Sequence, residues 1–84
     1  YELPINPGDE SPYIYLIQGM INVLSAINNA FLPLEITGVH DEATVNAIKK
    51  IQELSGTPKK GTVDKATWNN IAGIYSMLNQ TDGV

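Results

Sequence analysis

The chain has 84 residues, no cysteine and a formal net charge of -4. That length predicts one domain with one modest core, and the lack of cysteine excludes disulfides and thiolate metal sites. Five basic residues against nine acidic ones argue against sequence-independent binding to nucleic acid, which needs several phosphate contacts, and against adhesion to anionic membranes. No uninterrupted apolar run reaches the roughly 18 residues of a membrane span, and no signal peptide is visible. The first residue is Tyr1 rather than Met, so a piece of a longer protein is expected.

Residues 1–11 contain Pro4, Pro7 and Gly8 and read as an extended arm with a turn. Ser11 followed by Pro12 is a helix start: a capping hydroxyl, then proline at the first helical position. The first helix is predicted over residues 13–29. Ile14, Ile17, Ile21 and Leu24 form one apolar stripe at helical spacing, and Tyr13, Leu16, Met20, Val23 and Ile27 form an adjacent one. Together they cover an arc of roughly 180°, so this helix is expected to be central and to touch both others. Its narrow polar face carries Tyr15, Gln18, Gly19, Asn22, Ser25 and Asn29.

Residues 30–38 form a connector broken by Pro33, with Phe31, Leu32, Leu34 and Ile36 expected in the core. The second helix is predicted over residues 42–55, with Asp41 as N-cap and Gly56 as stop. Ala47, Ile48, Ile51 and Leu54 make its apolar face, and Lys49, Lys50, Gln52 and Glu53 its outer face. A turn over residues 57–63 leads to a third helix, residues 65–79, capped by Asp64. There Ile71, Ile74 and Leu78 face inward, flanked by Trp68, Tyr75 and Met77. Gly73 either permits a close helix approach or is neutral. Residues 80–84 read as a flexible tail.

The chain says part of this twice. Residues 38–51 are echoed by residues 61–74: Gly38 aligns with Gly61, Asp41 with Asp64, Thr44 with Thr67 and Ile48 with Ile71. Two copies are too few for a solenoid. With strand patterns absent and links short, the expectation is an all-α, compact three-helix bundle with an internal helix-turn repeat.

Three motifs in series resemble the three-helix peptidoglycan-binding domain attached to bacterial and phage cell-wall hydrolases. Ile14, Ile17, Gln18 and Ile21 follow its first-helix pattern after the turn Pro7-Gly8-Asp9. Thr44, Ala47, Ile48, Ile51 and Gln52 follow its second. Gly56, Gly61, Val63, Asp64, Thr67 and Trp68 follow its third. The chain departs from that family at Thr37, His40 and Asp41, in the turn before the second helix, and at Thr57. The resemblance implies a non-catalytic module, secreted and bound at the bacterial wall. Its implied partner is peptidoglycan, through the glycan strand, the stem peptide or both. It also implies covalent fusion to another domain, an enzyme or structural protein. A protein-interaction or propeptide-like domain without wall binding is the alternative.

Candidate binding residues are the turn Thr37, His40 and Asp41 with the polar residues Tyr15, Asn22 and Asn46. An exposed tyrosine beside a glycine notch and an amide can stack on a sugar and bond its acetamido group. The plainer expectation is that Tyr15 is simply exposed, that Asp41 caps a helix and that His40 lies on the loop surface. Gln18 and Gln52 are expected to hydrogen-bond loop backbone, and Thr44 and Thr67 to bond locally to the capping aspartates. The lysines at 49, 50, 59 and 60 can attract stem-peptide carboxylates or stand as solvated charges. A single histidine without cysteine makes no zinc-type ligand set. No nucleophile elbow and no phosphate loop is present, so no cofactor, metal or catalytic residue is expected.

Overall fold

The computed structural model describes residues 3–82, with side chains described as far as Ser76. Three helices carry the fold: α1 (Pro12–Ile27), α2 (Glu42–Ser55) and α3 (Lys65–Asp82). The Ser11 hydroxyl accepts from the Tyr13 N–H at 3.1 Å, with Pro12 leading the helix as its sequence predicts. α1 ends two residues short of expectation because Asn28 turns extended and gives its N–H back to the Leu24 carbonyl. α2 has the predicted bounds, with Asp41 as N-cap and Gly56 closing its C-terminus. The α3 backbone runs past Asn79 to Asp82. The expectations for Met77 and Leu78 concern side chains outside those described.

The core is one cluster. Ile14, Ile17, Ile21 and Leu24 of α1 meet Ile48 and Ile51 of α2 and Ile71 of α3, with Phe31 and Leu34 from the connector and Ile5 and Val63 at one end. As expected, α1 touches both other helices, reaching α2 through the buried Gln18–Thr44 bond, although the closest backbone approaches are those of α3 to α1 and to α2. Only one stripe of α1 is fully covered. Of the second, Tyr13 and Met20 pack on the cluster, while Leu16, Val23 and Ile27 face solvent, Ile27 at 64%. Leu32 and Ile36 likewise point out of the connector rather than into the core, and Leu54 in the last turn of α2 is exposed. No heavy atom approaches the position of a Gly73 Cβ within 4 Å, so that glycine serves no close helix contact.

The N-terminal arm is pinned rather than merely extended. Ile5 and Val63 exchange both backbone hydrogen bonds at 2.9 Å, and a second isolated bridge joins Glu10 to Val39. The arm thus crosses both interhelical turns.

The burial pattern yields a direct contrast. Ile17→Ala should cost about 2–5 kcal/mol, the transfer term plus an unfilled cavity, whereas Ile27→Ala should stay within about 0.5 kcal/mol. Urea denaturation of both variants measures the difference, and equal losses would contradict the assignment of α1 faces.

Candidate functional site

The two turns are held by the same device. In the first, the Gln18 carboxamide oxygen accepts the N–H groups of Thr37 at 2.9 Å and Gly38 at 3.0 Å. Its nitrogen donates to the Thr44 hydroxyl at 3.0 Å, the Val39 carbonyl at 3.1 Å and the Thr37 hydroxyl at 3.2 Å. In the second, the Gln52 oxygen accepts the Gly61 N–H at 2.9 Å, and its nitrogen donates to the Thr62 carbonyl and the Thr67 hydroxyl, each at 3.0 Å. Backbone donors on one side and carbonyl or hydroxyl acceptors on the other fix the orientation of both amides. Both glutamines are buried. The expected bonds to loop backbone are present, and the expected placement of Gln18 on a polar face and Gln52 on an outer face is overturned. A buried amide is stable only where its donors and acceptors are all met, and here each turn meets them.

Gly38 and Gly61 are needed at these turns for two reasons. Both have positive φ, 78° and 75°, which a side chain rarely adopts. A Cβ on Gly38 would also run into the Tyr15 ring, and one on Gly61 would lie 2.8 Å from the Val45 side chain. The tyrosine therefore stands directly over the first turn.

Thr44 and Thr67 relay each clamp to a helix cap. The Thr44 hydroxyl donates to Asp41 Oδ1 at 2.7 Å and its N–H to the same oxygen at 2.9 Å. The Thr67 N–H donates to Asp64 Oδ1 at 2.8 Å. The Thr44 hydroxyl and then its N–H hold the Asp41 carboxyl below its usual range. The Thr67 N–H and then its hydroxyl do the same for Asp64. These bonds favour the charged form.

His40 is the main departure from expectation. It is 1% exposed, not on the loop surface. Its Nε2 lies 2.6 Å from the Gly61 carbonyl oxygen, so Nε2 carries the proton and donates. Its Nδ1 is buried without a hydrogen-bond partner. Its backbone is tied to the arm as well, through His40 N–H to the Asp9 carbonyl and Gly8 N–H to the His40 carbonyl. The aligned residue in the second copy, Val63, is fully buried too. A position that is core in both copies holds a histidine in the first because the Gly61 carbonyl is within its reach.

The six candidate residues do not form one groove. Thr37 and Asp41 are engaged in the first turn, where the Thr37 hydroxyl lies 3.4 Å from Asp41 Oδ2. The Asn22 amide is spent on the connector: it accepts the Leu34 N–H at 2.6 Å and donates to the Leu34 carbonyl at 3.0 Å. Tyr15 and Asn46 remain exposed, on different faces. Tyr15, 52% exposed, borders an open groove of about 580 Å³ between α1 and α3 with Gly19, Met20, Trp68, Tyr75 and Ser76. The Trp68 ring also meets Tyr13 edge to face, centroids 5.7 Å apart. Asn46 lines a cleft of about 350 Å³ between α2 and residues 30–34.

Trp68 and Tyr75 line the same groove as Tyr15, a grouping beyond what the sequence predicts. Their spacing of seven residues on one helix was the available signal; their pairing with α1 was not in it. No group of three His, Cys, Asp or Glu among the described residues is placed to hold a metal ion. Open aromatic and amide surfaces of this kind can bind by stacking and hydrogen bonding.

A family described as "Putative peptidoglycan binding domain" matches residues 21–71. No curated protein and no solved structure gives a match.

The clamps and caps give two expected outcomes. Gln18→Leu strands the buried N–H of Gly38 and the part-buried N–H of Thr37, whereas Gln52→Leu strands only the N–H of Gly61. Each stranded group costs about 1–3 kcal/mol, so chemical denaturation should rank Gln18→Leu as the more destabilising. For the caps, a carboxyl held below its unfolded value contributes stability that is complete above that value and lost as pH falls through the folded one. Wild-type stability should therefore decline below about pH 4. An Asp41→Asn, Asp64→Asn double variant keeps capping oxygens and should show a flatter acid limb in pH-dependent thermal melts.

Proposed function

The chain belongs to the peptidoglycan-binding domain family, and on that footing we propose that it holds the glycan strand of the cell wall along the groove between α1 and α3, tethering an attached enzyme or structural protein to the wall. The family is one of binding domains, not of catalysts. The observation that carries this reading is the gathering of Tyr15, Trp68 and Tyr75 around one open groove. Aromatic rings offer flat apolar faces with polar tips, which suits the apolar faces and peripheral hydroxyls of amino sugars. Gly19 leaves the groove floor uncrowded, with no heavy atom within 4 Å of a would-be Cβ. The Ser76 hydroxyl and the Tyr15 phenol are the hydrogen-bonding groups for the sugar's acetamido and hydroxyl substituents.

An open groove of this size binds weakly alone. Its use lies in tethering, where a linked domain raises the effective concentration of its partner without any new contact. Work at the wall places the protein outside the cell membrane, in association with the wall.

A second reading rests on Leu16, Val23 and Ile27, which leave one stripe of α1 uncovered. An exposed apolar stripe suits docking against another protein domain.

Sedimentation with insoluble bacterial sacculi tests the first reading. The folded domain should co-sediment, and Tyr15→Ala or Trp68→Ala should each weaken retention roughly 5- to 10-fold, the loss of about one aromatic stacking contact. No sedimentation with sacculi of several wall chemotypes, with helix content intact, rejects it. Association with a neighbouring domain of the parent protein that Val23→Asp abolishes would establish the second, since Val23 lies outside the aromatic groove.

A further inference from the structure

The cleft between α2 and the connector has a different chemistry from the aromatic groove. One wall is the connector, residues 30–34. The other is a single face of α2, formed by Ala43, Asn46, Ala47 and Lys50, whose spacing of three, four and seven residues places them in line. The two alanines leave room for small apolar side chains. The Asn46 amide makes no hydrogen bond among the described residues. The connector wall is held firmly, because Asn22 binds both backbone groups of Leu34.

Lys50 supplies the charge. Its ammonium lies 3.4 Å from Glu53, and the same carboxylate lies 3.0 Å from Lys59. One carboxylate between two ammonium groups leaves a surplus positive charge. Of the lysines in residues 49–60, Lys50 is the one that lines this cleft, and Lys59 reaches it through the shared Glu53.

We infer that this cleft binds the free carboxyl end of a short peptide with small apolar side chains, the chemistry of the peptidoglycan stem peptide. The inference rests on the wall-binding reading and names a second part of the same polymer. The carboxylate meets Lys50 in a charge-assisted hydrogen bond. The Asn46 amide pairs with the adjoining peptide group, and alanyl methyl groups lie against the apolar connector wall. Asn22 is a positioning residue here, since it acts only through Leu34.

The test uses a synthetic N-acetyl-lysyl-alanyl-alanine, as free acid and as C-terminal amide, titrated into the isotope-labelled domain by NMR. The acid form should shift resonances of Ala43, Asn46, Ala47 and Lys50, and the amide form should bind about tenfold more weakly. Lys50→Met should bring the acid down to the amide's level, Asn46→Ala should weaken both, and Tyr15→Ala should leave both unchanged. Lys50 and Asn46 lie outside the core cluster, so these variants should remain folded. Equal binding of acid and amide, no effect of Lys50→Met, or displacement by an equal concentration of inorganic phosphate would each overturn the inference. If the peptide fails while intact sacculi still sediment, this cleft is not a peptide site and the wall-binding reading stands. If sacculi also fail, that reading falls with it.

Discussion

A buried backbone turn needs a partner for every N–H it hides, and in this protein a glutamine side chain supplies it twice. Gln18 and Gln52 each stand on one helix, hold the glycine turn that follows it, and reach the threonine that begins the next helix. The amide suits this task because it accepts on one side and donates on the other. Each clamp continues through a threonine to a capping aspartate, so the end of one helix and the start of the next are set by a single polar chain. The chain's internal repeat is the sequence trace of this device. Ile14, Ile17 and Gln18 correspond to Ile48, Ile51 and Gln52, and the first copy merely has a longer connector before its turn.

The two clamped turns are joined to each other. His40 spans them through the Gly61 carbonyl, and the N-terminal arm bridges to both. Most of the polar groups at this end of the bundle are thereby occupied within the protein, His40 Nδ1 being the buried exception. Open concave surface lies elsewhere, in the aromatic groove between α1 and α3 and in the cleft beside α2. Both border elements held by buried or part-buried amides: Tyr15 stands over the clamped Gly38, and the connector wall hangs from Asn22. Packing of this sort preorganises shallow sites, which cuts the ordering cost of binding.

The helices were legible because their ends carry explicit signals. Ser11-Pro12, Asp41 with Gly56, and Asp64 mark boundaries that the structure reproduces to within a few residues. The family pattern in Thr44, Ala47, Ile48, Ile51 and Gln52 was equally plain. The burial of individual apolar residues was less so. Leu16, Val23, Ile27 and Leu54 fit helical stripes as well as Ile14 or Ile48 does, yet they face solvent. Periodicity says which residues share a face, not how wide a neighbour lies across it, and α3 covers only part of α1.

Sequence by itself determined the helical class, the order and caps of the three helices, the repeated turn and the family. These are local properties: residue spacing, capping groups and glycine positions act over a few neighbours. The tertiary structure alone decided that the two glutamines and His40 are interior, and that α3 approaches both other helices most closely. It also decided that Tyr15 shares a groove with Trp68 and Tyr75 while Asn46 lies in another. Those outcomes depend on partners distant in the chain, such as the Gly61 carbonyl for His40 and the Gly38 N–H for Gln18. A polar residue is stable inside only where such a partner arrives, and the arrival is a property of the packed fold.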